Sequence, residues 1–345
     1  VKENALMQTY AVFCCPSGFS HTRLTQLGTA FSGTALGTSK FRTCRLSQAR
    51  NITMATAPPY VVTTANVHMP KIVYGTAWKK ERTTDLVTQA VLSGFRGIDT
   101  ACQPKHYRED LVGQALLNLQ AAGIDRKDLF LQTKFTSLDG QDPANIPYDP
   151  QAELSSQVQQ SLAKSLANLH TTYLDSLVLH SPMRTHEKSL KVWREFEKFV
   201  AEGKVRQLGI SNIYDLKALV LLYENASIKP AVVQNRFYDD TGYDREIRKF
   251  CSEKGIIYQS FWTLTANPHI LQQPVFKQIA ARLNATLPQV WFRFVMDLGI
   301  VPLTGTKDEA HMKQDLEVLQ MASLPRADFE TIADLIGEDA SAYVK

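Results

Sequence analysis

The chain has 345 residues, 44% of them hydrophobic, and a formal net charge of +4. This length and apolar content allow one large domain or two smaller ones, and no apolar run reaches the roughly 18 residues of a membrane-spanning helix. Outside residues 1–53 the basic and acidic residues nearly cancel, 32 against 33, which gives no support for a nucleic-acid partner or a membrane surface.

Residues 1–53 differ in composition from the rest, with six basic residues, one acidic residue and many Ser and Thr. This composition is typical of an organelle transit peptide. An alternative stays open, because Met54 would be an ordinary start and the segment would then be upstream sequence with no role. We predict that 1–53 is disordered and that one domain spans 60–340. The protein is expected in the cytoplasm, or in a plastid or mitochondrion if the transit peptide is genuine.

The five cysteines have neither the spacing of a disulfide framework nor that of a metal site. Cys14, Cys15 and Cys44 lie in 1–53, which leaves Cys102 and Cys251 in the predicted domain. Two isolated cysteines fit a reducing compartment, and we expect no metal.

Strand and helix patterns alternate along the predicted domain. A small hairpin is predicted at 61–64 and 67–69. Strands are predicted at 71–76, 95–99, 129–134, 174–180, 205–210, 231–235, 256–261 and 300–303. Helices are predicted at 82–92, 109–119, 151–169, 187–201, 214–224, 244–254, 272–282, 287–297, 308–320 and 327–337.

The strands read as continuous apolar runs, which is typical of strands buried on both faces. Alternation of strand and helix predicts a parallel sheet. Eight such units in roughly 260 residues predict a (β/α)8 TIM barrel with a short N-terminal β-hairpin. No glycine-rich dinucleotide fingerprint follows any strand, which argues against a Rossmann fold.

Polar side chains end several of these strands, at the face where a barrel of this type has its active site. Lys134 needs a counter-charge, which Asp99 on the neighbouring strand can supply. A purely structural ion pair is the alternative, just as His180 alone could be an ordinary core histidine. Because these residues end three consecutive strands and Tyr107 follows the first of them, the group favours a functional site.

The chemistry of this group is that of a proton donor. A free tyrosine has a pKa of about 10, and a nearby ammonium such as Lys134 should lower it. Asp99 would hold the ammonium, and neutral His180 would orient a substrate oxygen. Tyr107 could then protonate an oxygen that gains negative charge, as in carbonyl reduction by hydride from a bound cofactor.

Four motifs carry a resemblance to a known family: Gly-Phe-Arg-Gly-Ile-Asp-Thr-Ala at 94–101, Thr-Lys at 133–134, Leu-His-Ser-Pro at 179–182, and Gly-Lys-Val-Arg-Gln-Leu-Gly-Ile-Ser-Asn at 203–212. Over 66–320 the sequence resembles the aldo-keto reductases. The resemblance implies a (β/α)8 barrel, NADPH-dependent reduction of aldehydes and ketones, and a catalytic tetrad of Asp99, Tyr107, Lys134 and His180.

The same resemblance implies a cofactor site. Ser211, Asn212 and Gln234 would bind the nicotinamide carboxamide, and Phe261 would stack under the ring in place of the commoner tyrosine. Pyrophosphate contacts are expected from Leu264 and Thr265, although 262–265 departs from the usual Ser-Pro-Leu-Gly.

The site for the 2′-phosphate of NADPH also departs from the family pattern. The usual Lys-Ser and the later Arg fall on Gly305, Thr306 and His311. The residues expected to line this end are Thr304, Thr306, Lys307, His311 and Asp315, with the phosphate at a helix N-terminus. A solvated helix-start lysine is the alternative for Lys307. NADPH is therefore the expected cofactor, and NADH is the alternative.

The spacing around Tyr107 departs from the pattern of the aldo-keto reductases. About three extra residues lie within 102–106, and one residue is missing between Tyr107 and Glu109. An ungapped count would put His106 in the tyrosine's place. Tyr107 is preferred because only a phenol can act as the acid beside Lys134. Cys102 is then a plain buried thiol.

Two alternatives belong to other functional classes: an NADPH-binding regulatory or partner-binding barrel, and a Schiff-base lyase with Lys134 as nucleophile. The complete tetrad argues against the first, and a lysine tied to Asp99 is a poor nucleophile. We expect a small carbonyl substrate, no nucleic-acid or membrane partner, and a monomer or weak dimer.

Overall fold

A two-stranded antiparallel hairpin opens the fold. The computed structural model describes residues 60–343, so the segment 1–53 lies outside the described residues. In the hairpin, β1 (Tyr60–Val62) pairs with β2 (His68–Pro70). The predicted N-terminal hairpin is therefore confirmed.

Eight parallel strands then form a closed barrel. They are β3 (Val73–Gly75), β4 (Gly97–Asp99), β5 (Phe130–Phe135), β6 (Leu174–Leu179), β7 (Val205–Ser211), β8 (Val232–Arg236), β9 (Ile257–Phe261) and β10 (Val301–Thr304). Each strand pairs with the next along the chain, and β10 pairs with β3 to close the sheet. This is the predicted (β/α)8 TIM barrel, whose strands all end at one face.

Helices cover the outside of the barrel. They are α1 (Thr83–Ser93), α2 (Glu109–Ala121), α3 (Leu154–Asn168), α4 (His186–Ala201), α5 (Leu216–Asn225), α6 (Arg245–Lys254), α7 (Pro268–Leu271), α8 (Pro274–Arg282), α9 (Leu287–Asp297), α10 (Glu309–Glu317) and α11 (Arg326–Leu335). The short α7 was not predicted. The helix predicted at 308–320 ends at Glu317 and continues as a 3-10 turn, Val318–Gln320. Within residues 60–343, no helix is both long enough and apolar enough to cross a membrane.

The hairpin closes the N-terminal end of the barrel. Thr63 follows β1, and its hydroxyl donates to Gln207 Oε1 on β7 at 2.7 Å. Met69 of β2 is fully buried, and its sulfur accepts a hydrogen bond from Gln259 Nε2 on β9 at 3.0 Å. Access to the barrel interior is therefore left to the face where the strands end.

A buried carboxyl group fixes the start of α2, just after the loop that carries Tyr107. Glu109 accepts hydrogen bonds from the Thr133 hydroxyl at 2.5 Å and from the Asn168 amide at 3.1 Å. One turn later, a Cβ atom on Gly113 would lie only 1.8 Å from the carbonyl oxygen of Asn168. The helix is thus held close to β5 and to the end of α3, which fixes the height of the Tyr107 loop above the barrel.

Candidate active site

A buried ion pair lies where β4 and β5 end. Lys134 Nζ is 2.6 Å from Asp99 Oδ2, and the two side chains are only 1% and 3% exposed. The ammonium also donates to the carbonyl oxygen of Thr100 at 2.8 Å. The counter-charge predicted for Lys134 is therefore in place. Asp99 lies opposite Gln132 in the strand register, and the long side chain of Lys134, two residues further along β5, reaches the carboxylate.

Three glutamines inside the barrel complete the surroundings of Asp99. Its second oxygen, Oδ1, accepts from Gln132 Nε2 at 2.8 Å and from Gln234 Nε2 at 3.0 Å. Both amides also donate to Gln259 Oε1, each at 2.8 Å. Two amide donors on one oxygen and the Lys134 ammonium on the other fix the orientation of the Asp99 side chain. Gln132 and Gln259 were not predicted as site residues. The sequence feature that could have identified them is that each lies two positions before a predicted strand-end residue, Lys134 or Phe261.

Tyr107 lies against the ion pair. The Lys134 ammonium is 5.2 Å from the centroid of the Tyr107 ring, and the ring meets His180 edge-on with centroids 6.0 Å apart. His106 instead packs against Trp78, with ring centroids 4.0 Å apart and ring planes tilted by 37°. The irregular loop therefore places the tyrosine, and not the histidine before it, beside Lys134.

The expected direction of the tyrosine pKa was wrong. Burial raises the pKa of Tyr107, and the negative charge of Asp99 raises it further. The physical reason is that Lys134 is paired with Asp99, so the phenol faces a nearly neutral pair in a buried place instead of a free cation. Tyr107 consequently keeps its proton at neutral pH, which is the state that a proton donor needs.

His180 is held as a neutral ring. Its Nδ1 is 2.6 Å from the Thr136 hydroxyl. Burial, assisted by the charges of Lys134 and His106, lowers the pKa of His180 to about 3. With the Thr136 hydroxyl as donor, Nε2 carries the one ring proton and can donate it to an oxygen atom in the cleft.

The residues expected to bind an amide come together at the ends of β7 and β8. Ser211 pairs with Gln234 in the strand register, and its hydroxyl donates to the Gln234 carbonyl oxygen at 2.6 Å. Asn212 adopts a left-handed φ of 51° and donates to the carbonyl oxygen of His180 at 2.8 Å. The Gln234 Nε2 is taken by Asp99, and Oε1 accepts no hydrogen bond from the described residues. Phe261 ends the adjacent β9 and is half-buried.

The segment after β10 is built differently from the prediction. Thr304 donates to Asp315 Oδ2 at 2.7 Å, and burial raises the pKa of Asp315 to about 6. These two residues are thus paired inside the fold. The N-terminus of α10 is capped by Asp308, which accepts from the backbone N–H of His311 at 2.9 Å. A carboxylate therefore already occupies the helix N-terminus that was expected to bind a phosphate.

The other residues expected at the phosphate end lie nearer the surface. Thr306 is partly exposed, and the Lys307 and His311 side chains are exposed. After β9, Leu264 packs partly against the core and Thr265 is exposed.

Lys79 is a buried cation that was not predicted from the sequence. It lies in the loop after β3, and its ammonium donates to the carbonyl oxygen of Gly305 at 2.5 Å. Burial, together with the charges of Lys307 and Arg82, lowers the pKa of Lys79 to about 7. The hydroxyl of Tyr74 also binds this segment, through the carbonyl oxygen of Thr306 at 2.8 Å. The loop after β10 therefore contains one lysine, Lys307, and is held by a second, Lys79.

Comparisons with known proteins identify the family of the chain. Residues 71–336 match the model of the aldo/keto reductase family. Glyoxal reductase of Bacillus subtilis is 28% identical over 257 residues, which cover 74% of this chain and 84% of that protein. The NAD/NADP-dependent indole-3-acetaldehyde reductase of Schizosaccharomyces pombe is 28% identical over 283 residues, which cover 78% and 92%.

Solved structures of aldo-keto reductases share the fold of this chain. An aldo-keto reductase from a Medee basin deep-sea metagenome library is 25% identical, with a TM-score of 0.68 over 81% of this chain and 96% of that one. An NADPH complex of a silkworm (Bombyx mori) aldo-keto reductase, 21% identical, shares the fold with a TM-score of 0.68 over 84% and 90%. With a family match over most of its length and an eight-stranded closed barrel, this chain belongs to the aldo/keto reductase family and is an oxidoreductase.

Proposed function

We propose that this protein reduces aldehydes or ketones to alcohols with NADPH, and that Tyr107 donates the proton. The observation that carries the proposal is the contact of the Tyr107 ring with both the Lys134 ammonium and His180. The names of two relatives, a glyoxal reductase and an indole-3-acetaldehyde reductase, support an aldehyde as substrate.

Each residue of the tetrad then has a defined task. His180 Nε2 donates to the carbonyl oxygen and orients it. The phenol of Tyr107 gives its proton to that oxygen as the carbonyl carbon receives a hydride, so the product is an alcohol. The phenolate left behind is stabilised by the Lys134 ammonium, which Asp99 holds at 2.6 Å.

A nicotinamide dinucleotide fits the ends of β7, β8 and β9. When bound, the reduced nicotinamide supplies the hydride. Gln234 Oε1 is free to accept from a carboxamide N–H, because the bond of Nε2 to Asp99 fixes how the side-chain amide is turned. Ser211 and Asn212 adjoin it at the end of β7, and half-buried Phe261 at the end of β9 is the aromatic ring that we assign to stack on the nicotinamide.

Phosphate groups would meet the loops after β9 and β10, the usual phosphate-binding loops of this barrel. We assign Lys79, Lys307 and Thr306 to a phosphate, with His311, Leu264 and Thr265 at the edges. Thr304 and Asp315 would support this loop from inside. Since the usual arginine is absent and Asp308 caps α10, preference for NADPH over NADH should be weak. The name of the Schizosaccharomyces pombe relative includes both cofactors.

The test is oxidation of NADPH and of NADH, followed by absorbance, with a panel of aldehydes, ketones and sugars. Tyr107→Phe should lose about 100- to 10,000-fold in kcat, because it removes the general acid. Tyr223→Phe on α5, outside the barrel, is the matched control and should keep full activity.

Two outcomes would contradict the proposal. If Tyr107→Phe stayed active while His106→Ala lost activity, the proton donor would be assigned to the wrong residue. If the wild-type protein bound NADPH but turned over no carbonyl, the barrel would be a regulatory or partner-binding one. A cytoplasmic location and a monomeric or weakly dimeric state stay predictions.

A further inference from the structure

Arg236 ends β8 at the mouth of the barrel. It lies two residues beyond Gln234, whose side chain points into the barrel toward Asp99. Alternate residues of a strand share a face, so Arg236 lies on the same side as Gln234, one step nearer the open end. Its partner in the strand register is Phe261, the proposed support of the nicotinamide ring. Arg236 therefore belongs to the rim of the candidate site.

Three aromatic rings hold the guanidinium in place. Its central carbon lies 3.9 Å from the Trp262 ring centroid, 5.0 Å from that of Tyr238 and 6.0 Å from that of Phe261. Stacking of this kind fixes the plane of an arginine without neutralising its charge. The side chain is thus ordered before any ligand arrives.

The charge of Arg236 has no partner among the described residues. It forms no ion pair and no side-chain hydrogen bond there, and its Nε atom is buried with no hydrogen-bond partner. Other partly buried arginines in 60–343 are paired with carboxylates: Arg126 lies 2.7 Å from Asp175, and Arg293 lies 2.8 Å from Asp297. A buried donor without an acceptor is costly, so the arrangement indicates that an acceptor is supplied from outside.

Trp262 contributes a second observation. Its φ of 55° is left-handed, a conformation that bulky side chains rarely adopt, and the residue is 40% exposed. Backbone strain of this kind persists at binding sites, where it fixes the direction of a side chain. Here it turns the indole under the Arg236 guanidinium.

We propose that Arg236 binds an anionic oxygen group, a carboxylate or a phosphate, carried by the molecule in the cleft. This inference rests on the proposed function. The planar fork of a guanidinium matches both groups and can bind either with two parallel hydrogen bonds. The anion has two sources: the diphosphate of the dinucleotide, or a carboxylate on the carbonyl substrate.

The experiment uses Arg236→Met, which keeps a long side chain without charge, and Arg236→Lys, which keeps charge without the fork. Arg194→Met is the control, because Arg194 is an exposed residue on α4 outside the barrel. For each protein one measures the Kd of NADPH by fluorescence titration, and kcat/KM for benzaldehyde and para-carboxybenzaldehyde. Thermal unfolding checks that each variant is folded.

If the dinucleotide supplies the anion, Arg236→Met should weaken NADPH binding by about 10- to 100-fold, as expected for a lost hydrogen-bonded charge pair. If the substrate supplies it, the same variant should lose about 10- to 100-fold in kcat/KM for para-carboxybenzaldehyde only. Arg236→Lys should recover part of the loss, and Arg194→Met should match the wild type.

A folded Arg236→Met variant with wild-type NADPH affinity and wild-type kcat/KM for both aldehydes would overturn the inference. Failure of the proposed function is a separate result. In that case the wild-type protein itself would reduce neither aldehyde, whereas NADPH titration of the Arg236 variants would still report on the anion site.

Discussion

Lys79 should make the stability of this protein depend on pH, and one substitution should remove that dependence. Burial, with Lys307 and Arg82 nearby, lowers the pKa of Lys79 from 10.5 to about 7. In the unfolded chain the group regains its ordinary pKa. Between these two values the unfolded chain binds more protons than the folded one, so the free energy of unfolding rises with pH across this window.

The magnitude follows from the shift. One pKa unit corresponds to about 1.4 kcal/mol. Between about pH 6 and about pH 9, Lys79 loses its proton in the folded protein, and the upper limit lies about two units above its folded pKa. In the unfolded chain Lys79 stays protonated over the same range. Relative to Lys79→Met, the wild-type free energy of unfolding should therefore rise by about 2–3 kcal/mol. The variant should be the more stable protein at the lower pH, because it buries no charge, and its advantage should narrow at the higher pH.

Urea unfolding followed by circular dichroism at several pH values measures this difference. Lys80→Met is the matched control, since Lys80 is the exposed neighbour of Lys79 and its loss should leave the pH dependence unchanged. If wild type and Lys79→Met differed by the same free energy at both ends of the range, the reasoning would be refuted. The carbonyl oxygen of Gly305 loses its donor in the variant, but that cost of about 1 kcal/mol is the same at every pH.

The pH dependence of NADPH binding is a second measurement of the Lys79 pKa. A phosphate beside Lys79 favours the charged ammonium, so NADPH binding above about pH 7 should take up a proton. NADPH affinity should then fall by up to about tenfold per pH unit above this point. In Lys79→Met the affinity should be lower and its slope with pH shallower, as fluorescence titration would show.

Three further predictions concern the barrel interior and the packing of α2 against it. Gln132→Met should lower kcat by about 10-fold or more, because a charge-assisted hydrogen bond to Asp99 is lost, whereas Gln259→Met should mainly lower stability. Steady-state kinetics and urea unfolding measure the two effects, and an equal loss of kcat in both variants would contradict this prediction. Asp99→Leu should cost about 3–5 kcal/mol of stability, since Lys134 is left buried without a counter-charge, and an unchanged urea midpoint would argue against that. Gly113→Ala should cost about 3 kcal/mol or more, because backbone blocks the new methyl group, and wild-type thermal stability would show that α2 can move away.

Much of the fold could be read from the sequence because its signals are local. Continuous apolar runs such as 129–134 and 174–180 mark strands buried on both faces, and their regular alternation with helices leaves few arrangements besides a barrel. The placing of Asp99 beside Lys134 followed for the same reason, since parallel strands end at one face. The choice of Tyr107 over His106 needed chemistry as well, because the spacing alone pointed to the histidine.

The remaining features depend on which side chains meet across the barrel. The direction of the Tyr107 pKa depends on how closely Lys134 is paired, which spacing along the chain does not reveal. Lys79 meets Gly305 only when the barrel closes, because the two are 226 positions apart. In the same way, an aspartate at position 308 could either cap α10 or remain in solvent. The conformation of the loop decides between the two, and the sequence does not reveal it.

The hairpin at the closed end of the barrel is linked to the catalytic pair through side chains. Met69 holds Gln259, Gln259 holds Gln132 and Gln234, and those two hold Asp99. Residues 60–70 include none of the proposed catalytic residues. Shortening or replacing them would nevertheless expose the three glutamines to water from the N-terminal end of the barrel. Such a truncation would act on the enzyme as a change in its active site, so engineered fusions at this end should keep the hairpin intact.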